Sequence, residues 1–147
     1  MKNNFLILIL FCFSIFGQNL YADSFQFDVK DIAIENEGSI IFANDGKVFS
    51  KNKNLEIIAK KYKYIKNLDQ LEASSGIIFF KNENINIKFK QIKLNNKNNT
   101  ITASNGIQIE DIKKSLNIQG ENIIFDRDKN TITASNGIQI EDIKKSL

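Results

Sequence analysis

The side chains able to do chemistry in this chain are few and scattered. Histidine is absent, which removes the commonest general base and metal ligand. The single cysteine, Cys12, lies in an apolar run near the N-terminus, so thiolate catalysis and thiolate–zinc sites are excluded from the rest of the chain. Asp126-x-Asp128-x-Asn130 opens like a calcium loop. That loop then requires a glycine and later a bidentate carboxylate, and Thr131 and Gly137 occupy those places, so the segment reads as a hairpin turn. Glu110-Asp111 recurs as Glu141-Asp142, paired acids with no cleft or base beside them, read as turn residues. Lys60-Lys61-Tyr62-Lys63-Tyr64-Ile65-Lys66 interleaves cations and aromatics, as grooves for single-stranded nucleic acid do. Its tyrosines fall at repeat positions held elsewhere by Ile92, Leu94, Ile123 and Phe125, so they read as core residues with a solvated lysine face behind them.

The elements carrying these residues begin after an export segment. Met1-Lys2 starts a basic n-region, Phe5–Phe16 is apolar apart from Ser14, and Ala22 ends the stretch. This predicts a secretory signal peptide over residues 1–22, with an uncleaved anchor as the rival reading because Leu20 is not the small residue preferred near a cleavage site. An apolar run this short does not span a bilayer comfortably. Removing it takes Lys2 from 20 basic residues, leaving 19 against 17 acids, a net charge of +2. Nucleic-acid binding calls for a strong one-sided charge, so no nucleic-acid partner is expected. The exported chain, residues 23–147, holds no thiol and makes no disulfide. It is long enough for one domain with a modest core.

The dominant pattern is the repeat Ala-x-x-Gly at Ala43–Gly46, Ala73–Gly76, Ala103–Gly106 and Ala134–Gly137, in steps of 30, 30 and 31 residues. Such a period marks one supersecondary unit stacked on copies of itself. Between landmarks apolar residues alternate with polar ones: Leu55, Ile57, Ala59, then Tyr62 and Tyr64; Ile85, Ile87, Phe89, then Ile92 and Leu94; Leu116, Ile118, Gly120, then Ile123 and Phe125. Period-two alternation rich in β-branched and aromatic residues predicts half-buried strands. The clusters Lys51–Asn54, Asn82–Asn84, Asn95–Asn98 and Asp126–Asn130 read as hairpin corners. Each landmark glycine reads as a bulge or bend with no room for a side chain. The first strand, Phe25–Ile34, slips its alternation after Val29, which predicts a bend there.

Residues 99–116 and 130–147 are identical, whereas the segments between copies are only similar. Two readings fit: a recent local duplication, or an error in assembling the sequence. Because the chain stops at Leu147, where the first copy enters its next strand, the expectation is a longer natural protein.

A secretory signal followed by Leu-x-Ile-x-Ala-x-x-x-x-Tyr over Leu55–Tyr64 and Leu-x-Ala-x-x-Gly-Ile over Leu71–Ile77 resembles the OstA/LptA-like domain family. Ile101–Ile109 repeats the second half of that pattern. Phe89 replaces the alanine, and Gly120-Glu121 stands where Ala-Asp is typical. The resemblance implies an all-β, open, V-shaped β-jellyroll of repeated antiparallel strands whose apolar interior carries lipid A acyl chains. It also implies head-to-tail edge-strand pairing with other jellyroll proteins of the lipopolysaccharide transport bridge, a periplasmic location, and no enzymatic activity, cofactor or metal. Two family settings fit: the free bridge protein and the N-terminal domain of the outer-membrane assembly protein, with the second slightly preferred.

On this basis the lipid-facing candidates are Ile57, Tyr62, Ile85, Ile87, Phe89, Ile92, Ile118, Ile123 and Phe125. The competing expectation is a β-solenoid or sandwich interaction module with a filled core, since both arrangements need the same alternation.

Overall fold

The computed structural model describes residues 24–50 and 54–142; the signal segment 1–22 lies outside the described residues. Ten strands follow in order: β1 Phe25–Glu35, β2 Ile40–Ser50, β3 Leu55–Ile65, β4 Gln70–Phe80, β5 Ile85–Asn95, β6 Thr100–Asp111, β7 Leu116–Gly120, β8 Asn122–Asp126, β9 Thr131–Ser135 and β10 Gln139–Asp142. They form one antiparallel sheet that does not close on itself. β7 with β8, and β9 with β10, are single long strands broken near the middle: β6 pairs β7 at one end and β8 at the other. No α-helix occurs among the described residues.

Each full strand breaks at the same level. The β1–β2 ladder runs through Val29↔Gly46 and resumes at Asp31↔Asn44, skipping Lys30 and Asp45. The next ladders skip Asp45 with Lys60, Lys60 with Ser75, and Ser75 with Lys90. Asp45, Ser75 and Asn105 take left-handed backbone, at φ 47°, 56° and 66°. Each is the third residue of an Ala-x-x-Gly landmark, so the landmark is the corner of a bent strand. The corner also moves the inward side chains by one place. On β3 the buried residues are Leu55, Ile57 and Ala59, then Tyr62 and Tyr64. On β4 they include Leu71 and Ala73, then Ile78 and Phe80. The slip expected in the first strand is this same corner, at Lys30.

The line of corners bends the sheet into two leaves. The first holds residues 25–29 with their ladder partners out to 139–142; the second holds 31–35 with theirs out to 131–135. Their apolar faces share one interior. Rings meet across it: Phe25 and Tyr64 are 5.2 Å apart edge to face, and Phe80 and Phe125 5.9 Å.

Two of the landmark glycines, Gly46 and Gly76, are sterically required. A Cβ on Gly46 would overlap Asp28 O and lie 2.6 Å from Val29 Cα. One on Gly76 would overlap Ile58 O and lie 2.7 Å from Ala59 Cβ. At Gly106, with φ +102°, the reason is instead conformational. There β6 carries one extra residue as a bulge, between the pairs Phe89↔Ile107 and Gln91↔Ser104. That residue turns the 30-residue step into 31.

Candidate functional site: the interior of the folded sheet

The interior is built by side chains that alternate inward from both leaves. Ile57, Tyr62, Ile87, Phe89, Ile92, Ile123 and Phe125 are all buried in it, and Ile85 and Ile118 pack against it half-buried. All nine candidates therefore share one face of the sheet. The even strands contribute as much, through Ile41, Val48, Leu71, Ile78, Phe80, Ile101 and Ile109. These residues flank the landmarks, and the one-place shift at each corner hid their common face from a simple alternation.

Tyr62 has a second role. Its hydroxyl accepts the Ala59 N–H at 2.7 Å and lies 2.8 Å from the Gly46 carbonyl and 3.0 Å from that of Ile57. One side chain thus ties together three backbone groups beside the corner. Burial pushes its pKa up to about 12, against a lowering by the Ala59 N–H.

Two clasps span the leaves at the strand ends. Asp69 accepts hydrogen bonds from the Tyr64 hydroxyl at 3.0 Å, Ser24 Oγ at 2.9 Å and Asn96 Nδ2 at 3.2 Å. Ser24 precedes the first leaf and Asp69 lies in a turn of the second. Farther along, the Arg127 guanidinium sits 5.5 Å from the Phe80 ring centroid, a cation–π contact. Burial pulls the Arg127 pKa down, and the charges of Glu83 and Asp128 push it back up.

The apolar face does not stop where the leaves cease to cover each other. Ile32 and Ile34 on β1 lie opposite the buried Ala43 and Ile41, so they face inward, yet they are 54% and 62% exposed. At the far end Ile132 lies opposite Phe125 and Ile140 opposite Ile118, at 40% and 64% exposure. The interior thus emerges as bare aliphatic surface at both edge strands.

The remaining sequence candidates fall elsewhere. Lys61 and Lys63 line a groove of about 740 Å³ on the outer face of the second leaf, with Glu72, Lys93, Thr102 and Asn122. Asp126 closes its turn, accepting the Lys129 N–H at 3.0 Å and Lys129 Nζ at 2.8 Å. Asp111 does the same for Lys114 at 2.9 Å, and it is buried rather than exposed at its turn.

Among solved structures, the chain is similar to LptH of Pseudomonas aeruginosa, described as the LptA-homologous periplasmic component of the lipopolysaccharide transport device. The TM-score is 0.69 over 82% of this chain and 97% of that one, at 10% sequence identity. The chain has the LptA-like fold. No family model and no curated protein sequence matches it. Among the described residues of this chain the two leaves enclose the apolar interior, and β1 and β9–β10 are the outermost strands of the sheet.

Proposed function

We propose that this chain is a periplasmic, non-enzymatic lipid-conducting domain that carries lipopolysaccharide acyl chains through the interior of its bent sheet toward the outer membrane. The observation that carries the reading is the apolar face that runs from Ile32 and Ile34, through the buried core, to Ile132 and Ile140. An acyl chain gains roughly 0.8 kcal/mol per buried CH₂. A continuous apolar lining holds such a chain at every point yet favours none, which lets it slide. The fold shared with LptH, a transport component by its description, supports the reading. The nine candidates, Ile57 to Phe125, form the lining. Because they pack against one another here, acyl chains enter only as the leaves part.

The ends also fit each other. Extending the β6–β7/β8 register to a second copy sets β9–β10 against its β1, with Ile132 facing Ile34 and Ile140 facing Phe27. This head-to-tail pairing covers the exposed aliphatic residues of both ends, and an unpaired strand edge is a template for such addition. Other jellyroll proteins of the transport bridge would join by the same edges.

The test is photocrosslinking to labelled lipopolysaccharide from a photoreactive residue at Phe89. Adducts from Phe89 but not from Lys61 on the outer face are expected. Equal labelling at both positions, or none from Phe89, overturns the reading. The buried state of the lining favours a second reading, an interaction module with a filled core, and absence of adducts from Phe89 would select it.

A further inference from the structure

A groove of about 740 Å³ crosses the outer face of the second leaf. It runs over six neighbouring strands, from Phe42 on β2 to Ile124 on β8, a span of roughly 24 Å at the usual strand spacing. Two cross-strand rows make it. Beside the corners, Lys61 lies opposite Ser74, Ser74 opposite Gln91, and Gln91 opposite Ser104. One step toward the turns, Lys63 lies opposite Glu72, Glu72 opposite Lys93, and Lys93 opposite Thr102. Phe42 and Ile124 close the two ends of that second row.

Much of this lining is polar and unused. Among the described residues, the side chains of Lys61, Ser74, Ser104 and Asn122 have neither a hydrogen-bond nor an ion-pair partner. Gln91 accepts Asn105 Nδ2 at 2.8 Å through Oε1, which leaves its own amide donors free. Lys63 Nζ lies 5.8 Å from the Phe42 ring centroid, and Lys93 Nζ comes only within 3.8 Å of Glu72. The charged groups are therefore three lysines against one carboxylate, set over a floor of hydroxyls and amides. That combination suits a ligand that is both anionic and rich in hydroxyls. β3 to β6 are paired on both flanks, so a peptide cannot dock here by strand addition. Phe42 is the one outward aromatic ring of the groove, so successive bases of a nucleic acid find no stacking platform.

We propose that this groove is a binding site for a free acidic oligosaccharide, its carboxylates met by Lys61, Lys63 and Lys93 and its hydroxyls by the Ser74–Gln91–Ser104 row. The volume lies within the range of small-molecule sites, roughly 300–1,000 Å³. The position of the groove makes the sugar a free one rather than part of a lipid. The sheet itself separates the groove from the apolar interior, and the Ser74–Gln91–Ser104 floor runs beside the corners, at the closed end of the leaf. The interior opens between the turns and at the edge strands, not onto this face, so a head group joined to buried chains emerges elsewhere. The site does not rest on the lipid reading.

The test is titration of the exported chain with fluorescently labelled tetragalacturonate. Saturable binding is expected, weakened by added salt. Lys61→Gln, Lys63→Gln and Lys93→Gln together should weaken it at least tenfold. Ser74→Ala with Ser104→Ala should weaken it at least threefold while leaving its salt dependence unchanged. All these side chains face solvent, and circular dichroism checks that the variants stay folded. Maltotetraose has the hydroxyls without the charge, and tetraglutamate the charge without the hydroxyls; each should bind at least tenfold more weakly. No saturable binding, a triple-lysine variant that binds like the native chain, or tetraglutamate as tight as the sugar would overturn the proposal. Displacement of the probe by lipopolysaccharide would assign the groove to the lipid's own sugars and overturn it likewise.

Discussion

The Tyr62 hydroxyl, carried on the second leaf, lies 2.8 Å from the Gly46 carbonyl at the corner of β2, on the first. One phenol therefore fastens the bend of two adjacent strands. Tyr62→Phe keeps the ring but leaves the buried Ala59 N–H without its partner, which should cost about 1–3 kcal/mol, read from the denaturant midpoint at neutral pH.

The same phenol gives stability an alkaline limb. Its folded pKa, about 12, is raised above the ordinary value of 10.0. The folded state thus holds the proton more tightly than the unfolded state. This contribution is fully present below pH 10 and is lost as pH rises toward 12. Titration of the unfolding midpoint over that window should show a fall for the native chain that is weaker in Tyr62→Phe. Parallel curves would count against the hydroxyl's role.

Glycines should divide by their surroundings. Gly76→Ala places a methyl 2.7 Å from Ala59 Cβ and 2.8 Å from Phe89 Cζ, and should destabilise by about 1–3 kcal/mol. Gly120→Ala meets nothing closer than 3.9 Å and should be neutral, or stabilise by up to about 1 kcal/mol through the unfolded chain. Thermal unfolding of the two variants decides it.

The chain has no tryptophan, so a single one can report on the interior. Phe125→Trp should emit at the blue wavelengths of a buried indole and be quenched by a brominated fatty acid. Ile124→Trp, on the outer face, should be unaffected. Quenching of neither would favour the filled module over the conduit.

Head-to-tail pairing sets a specific register. Mixing Ile34→Cys with Ile132→Cys, each made in a Cys12→Ser background, should give a mixed disulfide under mild oxidation. Phe27→Cys with Ile132→Cys should not. If both pairs crosslink equally, the ends have no defined register.

Much of this was legible in the sequence. The alternation at Leu55–Ala59 and again at Tyr62–Tyr64 specifies two half-strands facing one side, and the slip after Val29 marks a corner. Gly46 and Gly76 were readable as tight places, since a neighbouring backbone lies too near for a Cβ, whereas Gly106 and Gly137 have room and are glycines for their positive φ. The true repeat of one strand and one turn was hidden because only alternate long strands (β2, β4, β6 and β9–β10) carry Ala-x-x-Gly. Odd strands turn their corner at Lys30, Lys60 and Lys90, residues with no conformational signature. The clasp at Asp69 was equally opaque. It joins Ser24 across 45 positions of chain, a contact that exists only once the leaves meet.

Because every strand carries its own corner, the domain behaves as a ruler with fixed graduations. Adding a hairpin of about 30 residues restores both chain direction and inward face, and lengthens the sheet by two strand spacings, roughly 9.5 Å. Insertion of one such unit, of the period that separates the identical segments 99–116 and 130–147, changes reach while keeping the register of the strands on either side. Gain or loss of one residue inside a half-strand turns that half inside out. Evolution along this chain is thus cheap in whole hairpins and costly in single codons.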